Sequence, residues 1–355
     1  MIRRPPRSTH CISSAASDVY KRQAFPIVDA SLPGKHRLAV CYRREITPFG
    51  TAFTIRKFRE DPYSIIDLIN LGTFSEEMAA YFWLCLENRA SIMVLGGTAA
   101  GKTTALNALA CLIKPGSKII TIEETAELNL PHENWVSLLA RQSYGLDGSG
   151  IGEVTLFDLV KTSMRHRPDV LIVGEVRGQE AYVLFQALAT GHGGMCTMHA
   201  ENLNSAIKRL TQKPMNIAPA YIPLMNLVLS IQRVHLLKKG EKKAYRRVIT
   251  VNEIADYDDY RITFKWHPTK DQHLSNFKKS VMLSSISERV GLSKKELLAE
   301  INRRKEVLHW MRERNIRSYK DVAAIIAEYY ARPRQIYEKV IAGGEVEAVA
   351  VSRKS

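Results

Sequence analysis

Apolar and polar positions alternate with a period of two through residues 27–58, in the runs Arg37-Leu-Ala-Val-Cys-Tyr and Thr51-Ala-Phe-Thr-Ile-Arg-Lys-Phe. A Thr47-Pro48-Phe49-Gly50 turn separates them, so a small sheet is predicted there. The period then lengthens. Met78, Ala79, Phe82, Trp83 and Leu86 fall at helical spacing, with Thr73 and Glu76 placed as a capping box, and the expected helix would close a first α/β domain over 24–88. From Ala90 the pattern changes to short strands with apolar centres at Ser91–Leu95, Lys118–Glu123 and Asp169–Val173, separated by helical stretches near 101–113 and 155–166. Strands without a polar face, alternating with helices, predict a mainly parallel sheet covered on both sides and assign 89–268 to an α/β core. After about residue 269 no strand is expected. Ser293 and Glu296 cap a helix running to about Arg314, two more helices cover 318–330 and 333–342, and Gly343-Gly344 ends them, which makes 269–355 a helical region and tail.

The 355 residues are enough for two or three domains, and 45% apolar with 25% charged residues is the balance of an ordinary globular chain. Extensive disorder, collagen-like repeats and a small disulfide scaffold are excluded. The longest apolar run, Ile222–Ile231, is interrupted by Asn226 and far too short to cross a bilayer, so a membrane role would work through an integral partner. Five cysteines without CxxC spacing point to reduced thiols and a cytoplasmic setting. The formal charge of +15 suits a protein that meets phosphate. Part of that excess lies in residues 1–23, where Arg3, Arg4, Arg7, Lys21 and Arg22 face only Asp18. This leader reads either as a disordered basic tail or, preferably, as translated sequencing-adapter read-through in place of the authentic N-terminus.

Candidate chemistry begins at Gly96-Gly97-Thr98-Ala99-Ala100-Gly101-Lys102-Thr103, which fits G-x-x-x-x-G-K-[ST] with a β-like run before it and the helix-forming Thr104-Ala-Leu-Asn-Ala-Leu-Ala after it. Backbone N–H groups at the start of a helix can ring a phosphate, and glycines let the backbone approach its oxygens. Lys102 is expected to supply charge to the β and γ phosphates and Thr103 a hydroxyl to Mg²⁺. The run Asp169-Val-Leu-Ile-Val-Gly-Glu175 delivers a carboxylate at the carboxyl end of a buried strand, so Glu175 is the candidate to hold Mg²⁺ or to orient and deprotonate water. A second strand ends in Glu123-Glu124. His192 and His199, around Cys196, match no zinc spacing; they are read as a pair sensing the γ-phosphate or as two hydrogen-bonded structural histidines. Arg141, Arg165, Arg167 and Arg177 flank the acidic strands and could neutralise charge on a transferring phosphoryl group.

Taken in order, these blocks resemble the type II/IV secretion-system ATPases, the RecA-like motors of pilus assembly, protein secretion and the archaellum. GGTAAGKTT at 96–104 is similar to the family's Walker A, IITIEETAELNLPHENW at 119–135 to its acidic box, RPDVLIVGEVRGQEA at 167–181 to its Walker B, and ATGHGGMCTMHAEN at 189–202 to its histidine box. The phrases NLPHENW, FTIRKF and GEVRGQEAY look most like the archaeal branch. The resemblance implies Glu175 as catalytic glutamate, Glu123 as a second essential acid, and His192 with His199 as the histidine pair. It also implies that Arg56 of FTIRKF lies over the nucleotide at the domain interface, and that Arg141, Arg165 and Arg167 reach toward phosphates, some across a subunit boundary. ATP and Mg²⁺ would be the cofactors, a hexameric ring the assembly, and a polytopic membrane platform protein the partner, with the motor peripheral to the inner face of the membrane and touching anionic lipid. Glu123-Glu124 stands where Glu-Asp is usual, and a further N-terminal region common in archaeal members is not present in this sequence. No four-cysteine zinc module is present, so no metal beyond Mg²⁺ is expected.

A second reading is a nucleic-acid translocase or conjugative-transfer ATPase of the same core. Against it, aromatic residues do not interleave with the basic patches, and no dedicated nucleic-acid partner is expected. An inactive ATP-binding scaffold is the third reading, disfavoured by the joint presence of Lys102 and Glu175.

Overall fold

The computed structural model describes residues 26–42, 46–141, 152–238, 240–277, 280–344 and 346. The basic leader 1–23 lies outside them. The chain divides into two compact units, one of residues up to Glu60 with Thr125–Glu127, the other of Asp61–Glu124 with everything from Leu128 onward.

The smaller unit is built on β1 (Ile27–Leu32), β2 (His36–Cys41) and β3 (Ala52–Arg56), an antiparallel sheet in that order. Leu38 faces Ile55 and Val40 faces Phe53 across β2 and β3, as the alternating pattern requires.

The larger unit begins with α1 (Ile65–Asn70) and α2 (Glu76–Glu87). Its sheet adds β4 (Ile92–Leu95), β5 (Ile119–Glu123), β6 (Trp135–Leu139), β7 (Val170–Val173), β8 (Gly193–Met198), β9 (Leu227–Lys238), β10 (Glu241–Asp256), β11 (Asp259–His267) and β12 (Gln272–Ser275). The order is β12-β11-β10-β9-β4-β8-β7-β5-β6. Strands β9, β4, β8, β7, β5 and β6 run parallel. The β9–β12 end of the sheet is antiparallel. Helices α3 (Lys102–Ala110), α4 (Leu156–Ser163), α5 (Glu180–Ala189) and α6 (Leu203–Thr211) lie between the parallel strands in sequence, and α7 (Val281–Val290), α8 (Lys294–Glu313), α9 (Tyr319–Ala331) and α10 (Pro333–Ile341) follow the sheet.

Period-two geometry explains the apolar runs. Ile92, Val94, Ile119 and Ile172 enter a core shared with α2, α3, α8 and α9, while Met93, Leu95, Ile120, Leu171 and Val173 enter a second one beneath α5 and α6. Each central strand is thus buried on both faces, the arrangement of a parallel α/β core.

Three expectations are corrected. Helix α2 is capped by Ser75, whose Oγ accepts from Met78 N at 3.2 Å, not by Thr73. That helix belongs to the larger unit instead of a domain over 24–88: every residue from Met78 to Leu86 is buried, and it packs there against α8. A helix that is apolar all round needs neighbours on every side, and the C-terminal helices supply them. Arg304 of α8 is buried with its guanidinium paired to Glu87 and Glu300 and centred 5.1 Å from the Trp83 ring. Strands also persist past 269, since β12 pairs with β11 and Asp271, just before it, holds the buried Arg247. Among the described residues no helix is long and apolar enough to cross a membrane.

Candidate functional site

Because β4, β5, β6, β7 and β8 are parallel, the residues that follow them collect at one edge of the sheet, the place where such folds present ligand groups. Gly96–Thr104 follows β4 and turns into α3. Two close approaches require glycine here. A Cβ at Gly96 would stand 2.6 Å from the Ile231 carbonyl oxygen, and Gly101 has φ +94° with Arg246 Cδ 2.9 Å from where its Cβ would be. Between them Ala99 is also left-handed, at φ 59°. Gly101 is the N-cap of α3 and no side chain caps that helix, so the first-turn amides, including those of Thr103 and Thr104, line an open cradle. Lys102 Nζ reaches back over the loop and donates to the Gly97 carbonyl at 3.2 Å. Gly97, Thr98, Ala99 and Ala100 complete the turn, and a Cβ at Gly97 would meet nothing within 4 Å, which leaves the mouth of the cradle open.

A bonded path leads from this loop to the acids. Thr98 Oγ1 lies 3.1 Å from His199 Nε2, just past β8. Within β8, Thr197 Oγ1 donates to the Gly174 carbonyl at 2.6 Å, and Val176 N donates to the Thr197 carbonyl at 2.9 Å, so Glu175 is held between two fixed peptide groups. On the other side, Gly174 N donates to Ile122 O at 2.8 Å and brings in β5 with Glu123 at its end. Glu123 is buried, and its Oε1 accepts from Leu128 N at 3.0 Å. Glu175 is only half-buried, and Arg177 Nη2 donates to its Oε2 at 2.5 Å while Nη1 reaches Glu124 Oε2 at 3.4 Å. The hydrogen bond to Glu175 is the main reason the Arg177 guanidinium holds its proton even more firmly than usual.

The remaining residues singled out in the sequence sit elsewhere. His192 is at the opposite end of β8 from His199, about 20 Å away for a six-residue strand. Its Nδ1 is 3.0 Å from Thr190 Oγ1 and 3.2 Å from Ala187 O, at the end of α5. Within one chain, then, the two histidines do not converge on one phosphate. Arg165 and Arg167 lie in the short turn before β7, at the amino edge of the sheet, away from the loop. Arg141 follows β6 at the carboxyl edge, bridged by its backbone to Val154, and its Nε donates to Gly152 O at 2.6 Å. Arg56 belongs to the smaller unit, where it pairs with Glu127 at 2.8 Å. Sequence reading missed Arg246, whose Nε lies 3.3 Å from Ala99 O, and Arg209, which donates through Nη1 to the His199 carbonyl. The Arg246 contact spans 147 residues and is made only when the sheet assembles, while the Arg209 contact spans ten, from α6 back to the end of β8, and needs that helix to dock against the strand.

The open amide cradle, the lysine folded over it and the acids at the neighbouring strand ends fit a nucleotide polyphosphate with a divalent ion. Thr103, in the first turn of α3, and Glu175 are the residues able to hold the ion. Among the described residues no three His, Cys, Asp or Glu side chains cluster as a separate metal site.

Known proteins share much of this sequence. The chain is 39% identical over 318 residues to the uncharacterized protein MJ0900 of Methanocaldococcus jannaschii, covering 87% of this chain and 56% of that protein. It is 42% identical over 248 residues to MJ1287 of the same organism, covering 68% and 89%. It is 33% identical over 257 residues to the conjugal transfer protein TrbB of Rhizobium radiobacter, covering 71% and 72%. With residues 5–328 matching the family described as type II/IV secretion system protein, the chain belongs to that family.

Proposed function

We propose that this chain binds and hydrolyses MgATP and turns the energy into domain motion that drives pilus or archaellum assembly, or secretion, through a membrane platform protein. The observation that carries the reading is the cradle at the uncapped start of α3, with Lys102 folded across it and Glu175 linked to it through Thr98, His199, Thr197 and Gly174. Mg²⁺, when bound, would neutralise phosphate charge. The chain's own groups do the rest: the loop amides and Lys102 grip the phosphates, Thr103 and Glu175 hold the ion, and Glu175 takes the proton of the attacking water. The buried carboxylate of Glu123 supports the same edge, and Arg177 keeps Glu175 oriented. Assembly as a hexameric ring, with Arg141 offered toward a neighbouring subunit's phosphates, is part of this proposal, as is placement at the inner face of the membrane on anionic lipid.

Membership of the secretion family supports the reading, and the likeness to TrbB, a conjugal transfer protein, keeps conjugal transfer as the second reading. The test is steady-state phosphate release with three additions: anionic vesicles, peptides from the platform's cytoplasmic loops, and single-stranded DNA. Stimulation by the first two supports the filament or secretion motor. Stimulation by DNA alone, with steep salt dependence, would transfer the case to a nucleic-acid translocase. Loss of turnover in Lys102→Ala is expected in either instance.

A further inference from the structure

Past the end of β4 the strands β9 and β10 continue as a two-stranded hairpin, and Arg233 and Arg246 stand directly opposite one another across it. Like charges in directly opposed positions repel. Among the described residues, the ion pairs of this hairpin are Arg247 with Asp271 and Lys243 with Glu241, and neither includes Arg233 or Arg246. Both guanidinium groups are exposed. Arg246 is nonetheless not adrift. Its stem lies over Gly101, with Cδ 2.9 Å from the position a Cβ there would take, and its Nε is 3.3 Å from the Ala99 carbonyl. The backbone beneath it is pinned as well, because the buried Arg247 donates through Nη1 to the Arg246 carbonyl and to the Leu71 carbonyl, each at 2.8 Å. A rigid strand therefore presents one cation to the phosphate loop and a second beside it, and among the described residues no carboxylate pairs with either.

The strand order says which part of a nucleotide they would meet. In the sequence β9-β4-β8-β7 the loop rises from β4. His199, joined to Thr98, and Glu175 stand on the β8 and β7 side, where the transferred phosphate must lie if Glu175 acts on water. Arg246, joined to Ala99, is on the β9 side. We propose that Arg246, assisted by Arg233, is a second phosphate-binding cation that grips the non-transferred phosphates of the nucleotide, those shared by ATP and ADP. This inference rests on the nucleotide-motor reading above and adds a binding residue to it. A guanidinium is suited to the task because its fork can hold the loop carbonyl with one N–H and phosphate oxygens with the others.

The test is equilibrium binding of ADP, ATP and inorganic pyrophosphate to the full chain and to Arg246→Ala, Arg246→Lys and Arg233→Ala. Loss of one charge-assisted contact is expected to raise Kd for ADP and ATP by about tenfold or more, equally for both, and to weaken pyrophosphate in parallel. Arg246→Lys should restore part of the affinity, and Arg233→Ala should show a smaller loss. Arg246 is exposed and its variants are expected to melt as the parent does, so weakened binding reports on the contact. Unchanged ADP affinity in Arg246→Ala, while the parent binds ADP, overturns this inference and leaves the motor reading standing. Weakening confined to ATP also overturns it, because the cation would then face the terminal phosphate. A parent that binds no nucleotide overturns both.

Discussion

Arg177 donates through Nη2 to the carboxylate of Glu175 two residues before it, at 2.5 Å, just beyond the end of β7. In the proposed function Glu175 is the base, and this contact fixes the orientation of its carboxylate. Glu175→Gln is expected to retain ATP binding and to lose turnover by about 10²-fold or more. Arg177→Ala should lower kcat by about tenfold with little change in KM, and Arg177→Lys should recover part of it. A raised KM with kcat intact would place Arg177 on the substrate instead of on Glu175.

At Gly96 a methyl group has nowhere to go. The Ile231 carbonyl would be 2.6 Å from it and the Ala100 Cβ 3.0 Å, and the first is backbone in a paired strand. Gly96→Ala is expected to shift the loop, cost about 1–3 kcal/mol in denaturant unfolding and weaken nucleotide binding together. Gly97→Ala, where space is open, should be far milder on stability.

The helical region depends on Arg304. Its guanidinium pairs with Glu87 and Glu300 and lies 5.7 Å from the Tyr329 ring centre, tying α2 to α8 and α9. Arg304→Met should destabilise the larger unit by about 2–3 kcal/mol, because Glu87 loses its counter-charge and the largely buried Glu300 keeps only Arg303 of its two arginine partners. Urea unfolding followed by tryptophan fluorescence would report it. Partial restoration by the added change Glu87→Gln would identify the carboxylate left without Arg304 as the cause.

His273 supplies a pH dependence. Burial pushes its imidazole down to about 4; its hydrogen bond to the Val248 carbonyl opposes that, the Arg247 cation adds to it, and the Asp271 carboxylate offsets part. The unfolded chain takes up this proton near pH 6.5 and the folded chain only near 4, so the stabilisation is fully present above about 6.5 and declines as pH falls toward 4. Thermal unfolding of the parent should fall across that window, and His273→Gln should flatten the dependence. An identical slope in the variant would assign the effect to other groups.

The phosphate loop was legible because its chemistry is local: glycine, lysine and threonine at fixed spacing, between an apolar strand and a helix, can be read without knowing any neighbour. The central strands were legible for a related reason, since Ile119-Ile-Thr-Ile and Val170-Leu-Ile-Val are apolar on both faces and such runs need cover on both sides. Helix α2 shows where local reading stops. Its stripe was visible, but a helix apolar all round does not say which neighbours will bury it, and those neighbours, on α8 and α9, lie more than 200 residues later.

The candidate site divides in the same way. The types and order of Lys102, Thr103, Glu123, Glu175 and His199 are carried by the chain itself, because strand ends and turns place them through short-range geometry. The strand β8 already separates His192 from His199, and Arg165 and Arg167 precede β7 in the chain; only the tertiary structure joined Thr98 to His199 and laid Arg246 against Gly101. Those outcomes depend on strand order and on which parallel strand pairs with which, and that is settled by packing the two cores on either side of the sheet, not by any residue's immediate neighbours.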